Sequence, residues 1–485
     1  MREEEERQGW QGGQEGAERL AGQERQGKQE REESQDSQES QERQERQERQ
    51  ESQESQERQE RQAGQARWHQ RILLTGGRAP ATLDLARQLA VAGHQVYMAE
   101  SCPDHLCVHS RAIVRNYSVP KPNENPDGYI SALQEIILLE KIDWLIPTCE
   151  EIFFVARGLD RLSQHCLVFT DSLDKLRCLH SKWEFIGQAR EFGLLVPATS
   201  LLTSQEEAKA VLAVPGKWVF KPVYSRFAAK VFMVQTRVAS TVAKGEKNKN
   251  ADETEIPDEI EIPDETEILE KMKHLSPQQP WVVQQFVEGT AYCSYSIAKQ
   301  GKLTAHAVYP VRFTAGPGAC ISFEAVHHPE IDRWVQHFVS LVQFTGQISF
   351  DFIVTDDGQV YPIECNPRAT SGIHLFQAED QIDQAFFHHE EGSEQVITPR
   401  PSHKAIITLA MLSYGLLSIR SWTKFKEWLR LIIGGKDVVF RLRDPRPFLQ
   451  QFKLLWWNVK VSRQQHISIL EASTHDIEWN GEEAK

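Results

Sequence analysis

The chain has 485 residues and a formal charge of −14, but two segments account for that charge. Residues 1–66 hold 19 acidic and 11 basic residues (−8), and residues 241–273 hold 11 acidic and 5 basic residues (−6). The rest of the chain is therefore neutral overall, and the balance does not indicate a nucleic-acid-binding protein.

The first 66 residues are almost entirely Gln, Glu, Arg, Ser and Gly and cannot build a hydrophobic core. The repeat QERQERQERQ at residues 41–50 has a period of three, which leaves no apolar stripe on a helix or a strand. It does place Glu42 four residues before Arg46, a spacing that weakly supports a solvated helix. We expect a disordered tail with transient helix, serving either as a solubilising segment or as a partner-binding one.

Cysteine spacing and hydropathy predict a soluble, cytoplasmic protein. The eight cysteines show no CxxC arrangement, which favours reduced thiols over disulfides or a zinc site. The N-terminus is charged from its second residue and has no apolar signal-peptide region. The longest apolar run, residues 405–419, is shorter than the roughly 20 residues of a membrane-spanning helix, so a buried or surface-lying helix is expected.

Residues 70–175 show the alternation of strands and helices that is typical of a parallel α/β domain. The run RILLTGG from Arg71 predicts an apolar strand, APATLDLARQLAVAG a helix closed by Gly93, and HQVYMAES a second strand. IDWLIPTCEEI and CLVFTDS continue the pattern. The Gly76–Gly77 pair after the first strand is either a tight turn or a phosphate-binding loop, because the full GxGxxG spacing is missing.

Residues 176–395 predict a second domain of mixed α and β structure, and residues 400–485 a helical C-terminal extension. SKWEFIGQAREFG predicts a helix, while KWVFKPV, KVFMVQT and WVVQQFVEG predict strands. A hairpin turn is expected between Lys299 and Lys302. The acidic repeat within residues 241–276 is interpreted as a surface insertion.

One predicted hairpin carries an unusual polar face. Its two strands, GQISFDFIVT and VYPIECNPR, are joined by Asp357–Gly358, a strong signal for a two-residue turn. Counting back from that turn gives the opposed pairs Ser349 with Asn366, Phe350 with Cys365, Asp351 with Glu364, and Phe352 with Ile363.

Two carboxylates that face one another directly on a hairpin repel, so Asp351 and Glu364 need a cation or a shared proton. With the amide of Asn366 they form a set of hard oxygen ligands suited to Mg²⁺ or Mn²⁺. The alternatives are a solvated outer face, or a carboxylate paired with Arg368.

Over residues 70–380 the sequence resembles the ATP-grasp enzymes of the carbamoyl-phosphate-synthetase-like group. The resemblance implies a pre-ATP-grasp domain at 70–175 and a two-lobed ATP-grasp domain at 176–395. It also implies that Asp351, Glu364 and Asn366 bind two divalent ions. Arg368 matches the arginine that contacts the transferred phosphoryl group.

Further segments match the family in its order along the chain. Lys182, in HSKWEF, matches the lysine that opens the central domain, and Lys221, in VFKPV, matches the strand lysine on the α- and β-phosphates of ATP. QQFVEG matches the hinge whose backbone binds the adenine edge. The hinge residues are Gln284, Gln285, Phe286, Val287 and the neighbouring Glu288.

Two features depart from the family pattern. The lid after the second lysine is commonly rich in Gly and Ser, whereas here it reads VYSRFAAK, with Ser225 and Arg226 as the phosphate donors. Ala291 stands where a ribose-binding acid is often found, and Glu288 is the substitute candidate.

The resemblance implies an ATP-dependent ligase that phosphorylates a carboxylate or enol oxygen and joins it to an amine such as an amino acid. Segments including IECNPRATSGIHLF also resemble the branch that contains mycosporine-glycine synthase. Substrate-side candidates are Arg312, which is either a carboxylate anchor or an ordinary salt bridge, and Ser371 with His374. The pairs His327–His328 and His388–His389 are interpreted as surface histidines, because adjacent side chains diverge.

A different class stays open, an ATP-binding or partner-binding module without ligase turnover. The altered lid and the missing ribose acid favour that module, and the metal hairpin favours the ligase.

Overall fold

The structure is a computed structural model that describes residues 69–225, 230–236, 265–316, 318–387, 395–401 and 403–481. The predicted tail, most of the acidic insertion, Arg226 and the His388–His389 pair lie outside these residues. Gln70–Lys485 constitutes one compact unit.

The N-terminal part is a five-stranded parallel sheet, as predicted. Its strands and helices are β1 (Arg71–Thr75), α1 (Pro80–Val91), β2 (Gln95–Glu100), β3 (Ile113–Ser118), α2 (Pro126–Glu140), β4 (Trp144–Ile146), α3 (Ile152–Arg157), α4 (Leu159–Leu162), β5 (Leu167–Val168) and α5 (Leu173–His180). The strand order is β3-β2-β1-β4-β5. Proline at the first turn of α1 suits a helix start, and the Asn125 side chain caps α2 by accepting from Gly128 N.

The turn after β1 is filled by side chains. A Cβ on Gly76 would lie 2.7 Å from Thr148 Oγ1, and a Cβ on Gly77 would lie 2.7 Å from His105 Nδ1. Gly76 also has φ of +73°, a conformation that favours glycine. These contacts support the tight-turn interpretation of the glycine pair.

A small lobe follows, with its own hydrophobic core. The helix α6 (Lys182–Glu191) leads into it, with Phe185, Ile186 and Ala189 buried in a different hydrophobic core. The elements of the small lobe are β6 (Thr199–Leu202), α7 (Gln205–Leu212), β7 (Gly216–Pro222), β8 (Phe232–Thr236), α8 (Glu265–Lys271) and β9 (Trp281–Gln285). The antiparallel order is β6-β9-β7-β8. Phe220, Val234, Ile268 and Trp281 belong to the core of this lobe.

A second antiparallel sheet forms the large lobe. The elements are β10 (Thr290–Lys299), β11 (Lys302–Pro310), β12 (Thr314–Ala315), β13 (Ala319–Cys320), β14 (Ser322–Glu324), α9 (Pro329–Val342), β15 (Gly346–Val354), β16 (Val360–Asn366) and α10 (Asp383–Phe387). The four long strands have the order β11-β10-β15-β16. The predicted turn between Lys299 and Lys302 is confirmed, with positive φ at both Gln300 and Gly301.

The segment after residue 400 contains the expected helices and also two short strands. Its elements are β17 (Lys404–Ile406), α11 (Thr408–Ala410), α12 (Trp422–Gly434), β18 (Lys436–Asp437), α13 (Arg446–Gln465) and α14 (Ile469–Ala472). β17 pairs with β14 and β18, which joins this segment to the large lobe. No helix among the described residues is both long and apolar enough to cross a membrane.

Candidate active site

The hairpin β15–β16 carries the predicted polar pairs. Asp351 pairs with Glu364, Ser349 with Asn366, and Phe350 with Cys365. These three predicted pairings are confirmed.

The turn of this hairpin differs from the prediction. Thr355 N donates to Gln359 O at 3.0 Å, and Gly358 has φ of +82°, so three residues and not two form the loop. Phe352 consequently pairs with Pro362, and the predicted pairing with Ile363 is wrong. A β-bulge between these pairs restores the predicted register at Asp351, because the extra residue in the strand compensates for the extra residue in the loop.

The bulge matters because its carbonyl group binds a lysine of the small lobe. Lys221 Nζ, near the end of β7, donates to Ile363 O at 3.1 Å and to Gln284 Oε1 at 2.9 Å. Gln284 Nε2 in turn donates to Thr199 Oγ1 at 3.0 Å. The bulge and the hinge glutamine therefore hold Lys221 between the two lobes.

The pKa of Lys221 is lowered from 10.5 to about 7. Burial is the largest cause and the positive charge of Lys182 acts in the same direction, while the carboxylates of Glu364 and Asp351 offset part of the shift. A lysine held in this way gains its full charge when an anion arrives, which suits a phosphate-binding role.

Lys182 provides a second buried ammonium group. It begins α6, whose N-terminus is capped by the Ser181 side chain, and the lysine is only 1% exposed. Its Nζ lies 3.6 Å from Glu364 Oε1 and donates to Ser225 O at 3.2 Å. Lys182 thus connects the hairpin carboxylate to the start of the predicted lid.

The two carboxylates perturb one another. Burial, and then the negative charge of Glu364, raise the pKa of Asp351 from 3.8 to about 6. Cys293 of β10 pairs with Asp351 from the other side, so the carboxylate lies in the middle of the sheet. Such a group is stabilised by a divalent cation, which would relieve the repulsion and restore full ionisation.

The ligand set fits magnesium better than a softer metal. It consists of two carboxylates and the amide of Asn366, all hard oxygen donors. Asn366 Oδ1 accepts a hydrogen bond from Arg368 Nη2 at 2.9 Å, which leaves its second lone pair for a metal.

Arg368 lies at the end of this polar face, beside a carboxylate from the N-terminal sheet. Its Nη2 is 3.7 Å from Glu150 Oε1, and Glu150 is completely buried. The buried Arg368 Nε has no hydrogen-bond partner within the described part of the chain. Glu150 was missed by the sequence reasoning, although the acidic pair Glu150–Glu151 lies in the loop after β4, at the carboxyl end of a parallel strand, where ligands bind in such sheets.

The predicted hinge lies partly within the sheet and partly beyond it. Gln284 and Gln285 belong to β9, and Phe286 N donates to Lys217 O at 2.9 Å. Val287 and Glu288 follow the end of this ladder, at the transition to the large lobe. Their predicted contact with the adenine edge stays a prediction.

The substrate-side candidates are engaged with the protein itself. Arg312 lies 2.5 Å from Glu427 and 3.4 Å from Glu324, as the salt-bridge alternative predicts. His374 is buried, with its Nδ1 3.0 Å from Asp84 Oδ2.

The pair His327–His328 and Ser371 lie at the ends of helices or beside an acidic side chain. His327 lies 3.0 Å from Asp332, whereas His328 caps α9, so this pair diverges as expected. Ser371 starts a short 3₁₀ helix that ends at Leu375.

No protein-family model and no curated protein sequence matches this chain. Solved structures do match its fold. An L-amino acid ligase from Bacillus licheniformis is 14% identical, with a TM-score of 0.51, over 70% of this chain and 80% of that chain. An N5-carboxyaminoimidazole synthetase from Staphylococcus aureus, complexed with ADP, is 13% identical, with a TM-score of 0.52, over 70% and 82%.

The biotin carboxylase domain of the Hydrogenobacter thermophilus 2-oxoglutarate carboxylase, in complex with MgADP and bicarbonate, also matches. It is 12% identical, with a TM-score of 0.50, over 67% of this chain and 72% of that chain. At such identities the likeness concerns the fold alone. The parallel N-terminal sheet, the two antiparallel lobes and these structural neighbours together show that the chain has the ATP-grasp fold.

Proposed function

We propose that this chain is an ATP-dependent ligase that forms a carbon–nitrogen bond. The observation that carries the proposal is the meeting of two opposed carboxylates, Asp351 and Glu364, with two buried lysines, Lys182 and Lys221, from the other parts of the fold. In the reaction, a carboxylate or enol oxygen of the substrate attacks the γ-phosphorus of ATP and ADP leaves. An amine, such as that of an amino acid, then displaces phosphate from the activated carbon.

Charge is the main obstacle to the first step, since an anion attacks an anion. Lys221 and Lys182 would bind the phosphates of ATP, and Arg368 would contact the phosphoryl group during transfer. Each is held by hydrogen bonds or ion pairs of the protein, so little reorganisation is needed when charge develops.

Asp351, Glu364 and Asn366 would hold Mg²⁺ or Mn²⁺, and the family resemblance implies two ions. When bound, the ions neutralise phosphate charge, a role that this set of oxygen donors fits. The peptide hinge from Gln284 to Glu288 would hold the adenine.

The activities for which the structural neighbours are named support this reaction class. They include an L-amino acid ligase and a synthetase complexed with ADP, and a third was complexed with MgADP and bicarbonate. For this chain the substrates are proposed only as a carboxylate or enol and an amine, handled in the cytoplasm.

The test is ADP release by the purified full-length protein, with Mg-ATP and pools of amino acids and small carboxylates. We expect ADP release that depends on a substrate pool and is lost in Glu364→Gln. Asp356→Asn, an exposed position in the turn of the same hairpin, is the matched control and should retain activity. Binding of Mg-ATP without ADP release across broad pools would instead support the nucleotide-binding module.

A further inference from the structure

The C-terminal segment, residues 411–466, exposes most of the large apolar side chains found on the described surface. Thirteen of the 23 exposed large apolar residues lie in it. These are Leu412, Tyr414, Leu416, Leu417, Trp422, Leu429, Ile433, Phe440, Leu442, Leu449, Phe452, Leu455 and Trp456. Every aromatic residue in the set of 23 lies in this segment. Exposed apolar surfaces of this kind are typical of interaction sites.

The same segment is strongly basic. Residues 411–466 contain 11 Lys and Arg and 3 Asp and Glu, a net charge of +8. Although the chain outside its two acidic segments is neutral overall, this segment therefore carries a local excess of positive charge.

On α12 the apolar and basic residues share one face. Trp422, Lys426, Leu429 and Ile433 follow one another at intervals of four, three and four residues, which is one side of a helix. All four are exposed, with Trp422 at 68% and Ile433 at 77%, whereas Leu431 is fully buried. The outer face of α12 is thus apolar with a lysine in its middle.

The outer face of α13 repeats this arrangement. Leu449, Phe452, Lys453, Trp456 and Lys460 lie at helical intervals on one side, and all five are exposed.

Both helices are anchored to the rest of the fold, so each holds its outer face in a fixed position. Gln450 on the inner side of α13 is 3% exposed and donates to Asp104. Asp444, just before α13, lies 2.9 Å from Arg87 of α1. On α12, Lys424 Nζ donates to Arg312 O at 2.9 Å, and Arg430 Nη2 donates to Glu324 Oε2 of β14 at 2.5 Å.

We propose that the outer faces of α12 and α13 bind the surface of a membrane that contains anionic lipids. Burial of leucine and isoleucine side chains at the acyl boundary is favourable, and tryptophan suits the interface because its ring is amphipathic. Lysines on the same faces reach lipid phosphates with their ammonium groups while their alkyl stems stay among the apolar side chains. The chain lies on such a surface and does not cross it.

A second copy of the chain would fit the outer faces of α12 and α13 less well than an anionic membrane does. In a symmetric dimer each face meets the same face of its partner, so the exposed lysines Lys426, Lys453 and Lys460 would be brought toward those of the second copy. An anionic lipid surface is complementary to both the charge and the apolar side chains.

The test is co-sedimentation of the full-length protein with phosphatidylcholine vesicles, prepared with and without phosphatidylserine. We expect binding to the anionic vesicles that weakens with salt. Neutralisation of three charges in Lys426→Gln/Lys453→Gln/Lys460→Gln should lower the affinity by roughly 100-fold. Trp422→Asp/Trp456→Asp should abolish binding, while Leu139→Asp, an apolar residue 66% exposed on α2, should bind as the wild type does.

Three results would overturn the proposal. The first is the absence of binding to anionic vesicles by the folded protein. The second is binding that survives in Trp422→Asp/Trp456→Asp, because charge alone would then account for it. The third is a concentration-dependent dimer that this variant dissociates and that does not bind vesicles. The readout is independent of ligase activity, so failure here leaves the proposed function untouched.

Discussion

Replacement of Lys221 by methionine should change how the stability of the apo protein depends on pH. Methionine keeps much of the volume of the buried side chain and removes its charge. It also removes the hydrogen bonds to Gln284 and Ile363, so the stability at any single pH mixes several effects. The difference between the two pH profiles isolates the titration of the lysine.

The sign and the magnitude follow from the pKa. The folded-state pKa of Lys221 is about 7, against its usual value of 10.5. Between these values the unfolded chain binds more protons, so the free energy of unfolding of the wild type rises with pH. From pH 7 to pH 9 this rise amounts to about 2 kcal/mol, and the full burial cost of the charge below pH 7 is on the order of 5 kcal/mol.

The assay is urea unfolding of both proteins without nucleotide at pH 7 and pH 9. We expect the wild type to gain about 2 kcal/mol more than Lys221→Met over this interval, and Lys302→Met, at an exposed hairpin position, to follow the wild type. Parallel profiles for the wild type and Lys221→Met would refute the lowered pKa. If the proposed function is correct, nucleotide binding near pH 8 should also take up a proton in the wild type, which calorimetry in buffers of different ionisation enthalpy would detect.

Two further predictions concern the metal site and the C-terminus. Because the pKa of Asp351 is raised to about 6, its carboxylate protonates as the pH falls through that value. The affinity of the nucleotide-free protein for Mg²⁺ should therefore fall by about tenfold between pH 7 and pH 5, and equal affinities in a Mg²⁺ titration at the two pH values would contradict this. Trp479 is 9% exposed and stacks on the ring of Phe153. Replacement of Trp479 by alanine should lower the free energy of unfolding by about 3–5 kcal/mol. Trp456→Ala, at a site 70% exposed, should cost little in the same urea assay.

Local patterns in the sequence were sufficient for most elements and for the central pair of the site. The opposition of Asp351 and Glu364 followed from side-chain alternation and from a turn signal a few residues away. The turn itself was predicted one residue too short, and the bulge at Ile363 was not predicted. The two deviations cancel at the carboxylates, because the longer loop takes in Asp356 from the β15 side while the bulge adds Ile363 on the β16 side.

Contacts between distant parts of the chain could not be predicted in this way. Glu150 and Arg368 are 218 positions apart and meet because the segments that follow β4 and β16 come together in the fold. Arg312 has the residue type of a carboxylate anchor, but only the packing of α12 shows that Glu427 already occupies it. Whether a charged side chain is available to a ligand depends on its neighbours in space.

The sequence by itself determined the alternating strands and the polar face of the hairpin. These depend on the period of apolar residues and on turn chemistry, which are properties of a few adjacent residues. Tertiary structure decided that Lys221 lies between the bulge carbonyl and the hinge glutamine, and that burial shifts the pKa of Lys221 and of Asp351. Desolvation and Coulomb interactions depend on what surrounds a group in three dimensions, so the charge state of the site emerges only when the lobes pack together.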